Sequence, residues 1–175
     1  ELLLQDGWDV YCLDDLSTGS MANVAHLRHR HDYHFFVNSV RSYEIVNTLI
    51  SECDTVYHLA AAVGVRRVYE QPVETLLTNL EGTARVIDAC RRFGKRLLIA
   101  STSEVYGDHG NQKPLHENSA RIYGPTTARR WAYADSKATN ELLALAHHQE
   151  DKLDCVIVRL FNTAGPRQTG KYGMV

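Results

Sequence analysis

Three short, unbroken apolar runs constrain this chain more than any other feature: DTVYHLAA over 54–61, RLLIA over 96–100 and LDCVIVRL over 153–160. Strands that do not alternate apolar and polar residues are buried on both faces, as in a parallel sheet covered by helices. The segments between them have helical spacing. Over 79–93, Leu80, Thr83, Ala84, Ile87 and Cys90 recur at three and four residues, and Gly94 follows as the expected left-handed C-terminal cap. Over 133–148, Ala138, Glu141, Leu142, Leu143, Ala144 and Leu145 are strong helix formers. Further strands are predicted at 10–14 and 33–37, a helix at 42–51, and a short helix or loop around 20–30. The expectation is an α/β fold with a doubly wound parallel sheet covered on both faces. The one long connection, 107–129, is expected to be functional.

Length and charge narrow the function. The chain's 175 residues fit about one domain. With 19 basic and 21 acidic side chains its net charge is −2, so nothing in the charge balance points to nucleic acid or an anionic membrane as a partner. No apolar run reaches the roughly 18 residues of a membrane span. Cys12, Cys53, Cys90 and Cys155 are scattered among apolar neighbours and read as reduced core thiols. With no secretory signal among these residues, the expected compartment is the cytoplasm. His26, His29, His31 and His34 crowd one stretch, but no cysteine or other ligand group accompanies them, so no metal site is expected. His58, inside a buried strand, reads as a core histidine rather than a base.

The start of the chain is informative. Residues 1–5 look like the end of a helix capped by Gly7, and the following strand closes on Asp14. An acid at that place in a dinucleotide-binding fold accepts hydrogen bonds from a ribose, and a glycine-rich turn belongs about 20 residues upstream. None of the 11 glycines forms that turn. The expectation is a segment of a longer protein, lacking the first strand and its glycine-rich turn.

The chemistry concentrates at Tyr133-Ala134-Asp135-Ser136-Lys137, where a Tyr and a Lys lie four apart at the start of a helix and share one face. A lysine ammonium there is expected to lower the phenol pKa from about 10 and make Tyr133 a general acid/base. Taken alone, the spacing is common by chance and fits two surface residues better. Upstream, RLLIA runs into Ser101-Thr102-Ser103-Glu104-Val105-Tyr106-Gly107, which places hydroxyls at the ligand-binding edge of a parallel sheet.

Six motifs occur in order: DDLSTG at 14–19, HLAA at 58–61, NLEGT at 79–83, STSEVYG at 101–107, YADSK at 133–137 and RLFN at 159–162. Together they resemble the extended short-chain dehydrogenase/reductase family, in its nucleotide-sugar epimerase/dehydratase branch. The resemblance implies an NAD-binding Rossmann domain and chemistry through a transient 4-keto sugar. It assigns the ribose-binding acid to Asp14 and the stretch beside the cofactor to Leu59, Ala60 and Ala61. Asn79 and Phe161 match further cofactor-site residues, and Asn162 one that contacts the nucleotide-sugar. Thr102, Tyr133 and Lys137 match the catalytic triad, with Tyr133 and Lys137 also on the cofactor side. One departure is Val37-Asn38-Ser39-Val40, where the family often has an Asp that meets the adenine.

Ser103 and Glu104 bear on the outcome. Dehydratases of this branch resemble Thr-Asp-Glu here; Thr-Ser-Glu resembles the UDP-glucuronate decarboxylases and also some epimerases. The resemblance therefore disfavours dehydration and implies a UDP-sugar 4-epimerase, with UDP-glucuronate decarboxylase as the alternative. A non-catalytic NAD-sensing protein, the reading from another class, would usually lack the Tyr and Lys. Glu104 is a further catalytic candidate, Ser103 a substrate contact, and Arg167, in Gly165-Pro166-Arg167-Gln168-Thr169-Gly170, either a phosphate contact or a surface residue. The family's dimers pair the helices matching 79–93 and 133–148, so a homodimer is implied. Residues 1–175 would then be a partial NAD-binding domain, with the substrate domain mostly beyond them, and would not turn over substrate alone.

Overall fold

A computed structural model of the chain describes residues 1–110 and 114–168. Every strand pair in it is parallel. β1 (Val10–Asp14) pairs with β2 (Tyr33–Val37), and β3 (Thr55–His58), β4 (Arg96–Thr102) and β5 (Cys155–Leu160) form a second sheet in that order. The helices are α1 (Leu2–Gln5), α2 (Tyr43–Glu52), α3 (Val65–Glu70), α4 (Pro72–Phe93) and α5 (Ala132–Asp151). One core joins both sheets: Leu13 of β1 packs with Val46 and Ile50 of α2, Val86, Ile87 and Cys90 of α4, and Leu97 and Ile99 of β4. Each such side chain, fully buried, stabilises the fold by about 1.5–3 kcal/mol. At the end of β4, Ser101 and Thr102 send their side chains to opposite faces, following the strand's period of two.

The helix caps follow the sequence. Gly7 has φ +83°, and Gly94 takes the left-handed conformation at φ 64° at the end of α4. Two boundaries differ from expectation. α4 begins at Pro72 rather than at 79, with proline in the first turn, where a missing N–H costs nothing. The apolar pattern hides this turn because the buried stripe of α4 runs through Thr75, Asn79 and Thr83 before it reaches Val86. β3 ends at His58 instead of 61, because beyond it Ala62 bonds through its N–H and C=O to the Asn79 side chain rather than to a neighbouring strand.

The two faces of the β3–β4–β5 sheet differ in burial among the described residues. Val56 and Ile99 pack into the helical core, whereas Tyr57 and Val156, on the opposite face, are 50% and 44% exposed among the described residues. The connection over 107–129, of which 111–113 lie outside the described residues, is tied down at several points. Gly107 bridges Ile122, and the Tyr123 hydroxyl donates to the Val105 carbonyl at 2.8 Å.

Candidate functional site

The end of β4, the start of α5 and the segments after β3 and β5 enclose a cavity of about 250 Å³. Leu59, Ala61, Thr102, Tyr133, Lys137 and Phe161 are among the residues that line it. Six of the residues singled out from the sequence thus meet in one place, although they span 59 to 161. Asp14, Ala60, Asn79, Ser103, Glu104, Asn162 and Arg167 do not line it.

Each catalytic candidate has a specific seat. Thr102 closes β4, and its Oγ1 accepts from the Glu104 N–H at 3.2 Å, which leaves the hydroxyl proton to donate elsewhere. Lys137 is 2% exposed, and its Nζ donates to the Ala100 carbonyl at 2.7 Å. That ammonium lies 6.0 Å from the centre of the Tyr133 ring. Burial drives the Lys137 pKa down to about 8. Burial, with the charge of Glu104 beside it, drives Tyr133 up to about 12. This corrects the expectation that Lys137 lowers the Tyr133 pKa: desolvation of the phenolate outweighs the ammonium, which is engaged with a backbone carbonyl. Although residue Glu104 is exposed, its carboxyl is desolvated enough to raise its pKa, and Arg130 opposes that rise.

Asn79 acts one step away from the cavity. It is 1% exposed, its Oδ1 accepts from Ala62 N–H at 2.7 Å, and its Nδ2 donates to Ala62 O and to Ser136 Oγ. Both ends of the amide are thus engaged, and it ties Ala62, in the segment after β3, to α4 and α5. His58 is a core residue: its Nε2 meets Thr83 Oγ1 at 2.8 Å, and burial brings its pKa down to about 3. Buried and engaged with Thr83, the ring is neutral and a weak proton acceptor.

At the end of β1, the Asp14 Oδ1 accepts from the Leu16 N–H at 2.7 Å. A Cβ on Gly19 would lie 3.4 Å from that oxygen, so glycine keeps the space beside the carboxylate open. Phe161 and Asn162 follow β5 and are exposed. Arg167 pairs with Glu1 at 3.1 Å, and Glu1 also meets His26 at 2.6 Å. Thr169 and Gly170 lie outside the described residues. Among the described residues no group of three or more metal-ligating side chains converges.

These residues fit a dinucleotide. Among the described residues Lys137 has one hydrogen-bond acceptor for its three protons, so a ribose diol in the cavity would satisfy the others. Ala61 leaves room for close approach, and the Asp14 carboxylate stands at a strand end where a second ribose can reach it. The sequence did not reveal Ala100 as the Lys137 acceptor, since a carbonyl carries no residue signature. Nor did it reveal Ser101, Glu141 and Arg159, which meet only through folding.

The family model described as GDP-mannose 4,6 dehydratase matches residues 1–174. UDP-glucuronic acid decarboxylase 1 of Xenopus tropicalis is 32% identical over 175 residues, covering 99% of this chain and 39% of that protein. The UDP-N-acetyl-alpha-D-glucosaminuronate decarboxylase of Bacillus cytotoxicus is 39% identical over 131 residues, covering 74% of this chain and 40% of that protein. Among solved structures, the UDP-glucose 4-epimerase of Thermus thermophilus in complex with NAD superimposes with a TM-score of 0.81. It is 32% identical, and the match covers 95% of this chain and 51% of that one. The chain therefore spans about two fifths of the length of these curated relatives.

Proposed function

The chain belongs to the extended short-chain dehydrogenase/reductase family, in its nucleotide-sugar epimerase/dehydratase branch, and from that premise we propose that the whole protein is an NAD-dependent enzyme that decarboxylates a UDP-linked uronic acid through a 4-keto sugar. The likeness to two uronic acid decarboxylases over 99% and 74% of this chain supports the finer reading, and Glu104, at the end of β4, is the residue it would use. Its carboxyl sits close enough to Tyr133 to raise the phenol pKa, and its own pKa is raised by desolvation. A carboxyl beside the acid/base tyrosine is placed to serve as the proton donor to carbon that this reading requires.

NAD, when bound, would supply the hydride acceptor for C4 and a second positive charge beside that of Lys137 to favour the Tyr133 phenolate. Tyr133 takes the O4 proton as C4 is oxidised, and Thr102 donates a hydrogen bond to the same oxygen. In the resulting β-keto acid the C5–C6 bond breaks, CO₂ leaves, and the electron pair moves onto an enolate oxygen at O4. Thr102 and Tyr133 stabilise that oxyanion. Glu104 protonates C5, and Tyr133 returns its proton to O4 as C4 is reduced again, leaving a UDP-pentose and a net redox change of zero. Lys137 holds the nicotinamide ribose, Leu59, Ala60, Ala61 and Phe161 flank the cofactor, and Asp14 accepts from its other ribose. Ser103 and Asn162 face the nucleotide-sugar in the same reading.

The second reading is 4-epimerisation, the outcome favoured by the sequence motifs and supported by the likeness to the Thermus thermophilus enzyme. It needs no proton donor at C5. Incubating the full-length protein with UDP-glucuronate and, separately, with UDP-glucose separates them. CO₂ release with a UDP-pentose supports decarboxylation, interconversion of UDP-glucose with its 4-epimer supports epimerisation, and binding of NAD without turnover would favour a sensing role.

Two further points belong to this proposal. Four cysteines all unpaired suit a reducing compartment such as the cytoplasm, and no helix among the described residues is long and apolar enough to cross a membrane. Two copies pair through α4 and α5, whose outward faces leave Val73, Leu77, Leu142 and Leu145 exposed.

A further inference from the structure

Glu141 lies on α5 four residues beyond Lys137 and eight beyond Tyr133, so the three share one helix face. It is 6% exposed, and its carboxylate accepts from three directions. Ser101 Oγ donates to Oε1 at 2.5 Å, Arg159 Nε to Oε1 at 3.0 Å, and Arg159 Nη2 to Oε2 at 2.7 Å. Arg159 in turn donates through Nη1 to the Glu117 carbonyl at 3.0 Å, and its guanidinium stands 4.7 Å from the Tyr106 ring centre.

The end of β4 is thereby docked on α5 at successive residues. Ala100 O accepts a hydrogen bond from Lys137, Ser101 Oγ donates to Glu141, and Thr102 follows at the cavity. Ser101 also borders the cavity, but its hydroxyl is committed to Glu141. A fully paired buried carboxylate in bidentate contact with arginine is a stiff joint. Because Ser101 and Thr102 are adjacent in a strand, fixing one hydroxyl on the helix side fixes where the other stands on the cavity side.

We propose that Ser101, Glu141 and Arg159 are positioning residues that set the Thr102 hydroxyl against Tyr133, with Arg159 extending the restraint to β5 and to the 107–129 connection. The proposal rests on the reading of Tyr133 and Thr102 given above. Effective catalysis needs the reacting groups within a fraction of an ångström of their working geometry, and the polar groups of these three residues bond to one another and to the Glu117 carbonyl.

The test is made on the full-length protein. Ser101→Ala removes one oxygen and leaves the Glu141–Arg159 pair intact. The expected result is a kcat lower by about tenfold, with KM and the NAD dissociation constant within about twofold of wild type. Ser101→Thr, which restores the hydroxyl, is expected to recover most of the loss. Glu141→Gln is expected to speed amide exchange over residues 100–106 while NAD still binds. A Ser101→Ala enzyme with wild-type kcat, or one whose NAD affinity falls in parallel with kcat, overturns the proposal. If Tyr133→Phe turns over normally, the reading of the site itself fails. If Tyr133→Phe is inactive and Ser101→Ala is unaffected, the positioning role alone fails.

Discussion

Lys137 donates its 2.7 Å hydrogen bond to the carbonyl of Ala100, not to the phenol of Tyr133 one turn away. The sequence motif pairs the lysine with the tyrosine; the fold pairs it with the strand. The ammonium therefore fixes where α5 sits on β4, and it presents its remaining protons to the cavity. Its low pKa reflects burial, and so does the high pKa of Tyr133.

Replacing Tyr133 with Phe removes the only proton carrier proposed for O4. Turnover of the full-length protein on its nucleotide-sugar is expected to fall by about 10²–10⁴-fold. Binding of NAD, measured by calorimetry, is expected to stay close to wild type. Unchanged turnover would show that Tyr133 is not the acid/base.

The charge of Glu104 raises the Tyr133 pKa, so Glu104→Gln is expected to lower it. The measurement is the pH titration of phenolate absorbance, taken as the difference between each protein and its Tyr133→Phe counterpart. The transition moves to lower pH if the two side chains interact as the structure places them, and stays put if they do not.

His58 makes stability depend on acidity. In the folded chain its pKa is about 3, against 6.5 for a free histidine, so between those values the unfolded chain binds a proton that the native chain refuses. The contribution of His58 is fully present above 6.5 and is lost as pH falls, by up to about 1.4 kcal/mol per pH unit from this residue. Urea unfolding at a series of pH values should show that component in wild type and a shallower slope in His58→Gln. Parallel slopes would mean that His58 titrates normally in the fold.

Gly107 has φ +82°, and a Cβ there would stand 2.0 Å from the Ile122 carbonyl oxygen. Gly107→Ala therefore combines backbone strain with a clash against main chain that cannot rotate away. A loss of about 2–4 kcal/mol is expected in denaturant unfolding. Gly110→Ala, also at positive φ but with nothing within 4 Å, should cost less.

If α4 and α5 form the contact between two copies, charge on their outward face should break it. Leu142 and Leu145 are 58% and 46% exposed, so the double substitution Leu142→Glu with Leu145→Glu should leave the fold intact. Analytical ultracentrifugation of the full-length variant is expected to give half the wild-type mass. A wild-type protein that sediments as a monomer would remove the premise.

What the sequence determined by itself is local. The apolar runs at 96–100 and 153–160 became β4 and β5, because β-branched and apolar residues in short runs suit paired strands. Gly94 capped α4 because the left-handed conformation is cheap for glycine. Tyr133 and Lys137 were legible as a pair because helical spacing is fixed by geometry. The tertiary structure decided the rest. Buried polar residues carry no hydrophobic signal, so the first turn of α4 and the Asn79 hold on Ala62 could not be read from pattern. Charge states depend on which atoms surround a group, and burial, not the motif, set the pKa values of Tyr133, Lys137 and His58. The joint of Ser101, Glu141 and Arg159 draws on three elements far apart in sequence, and only packing brings its members within hydrogen-bonding distance.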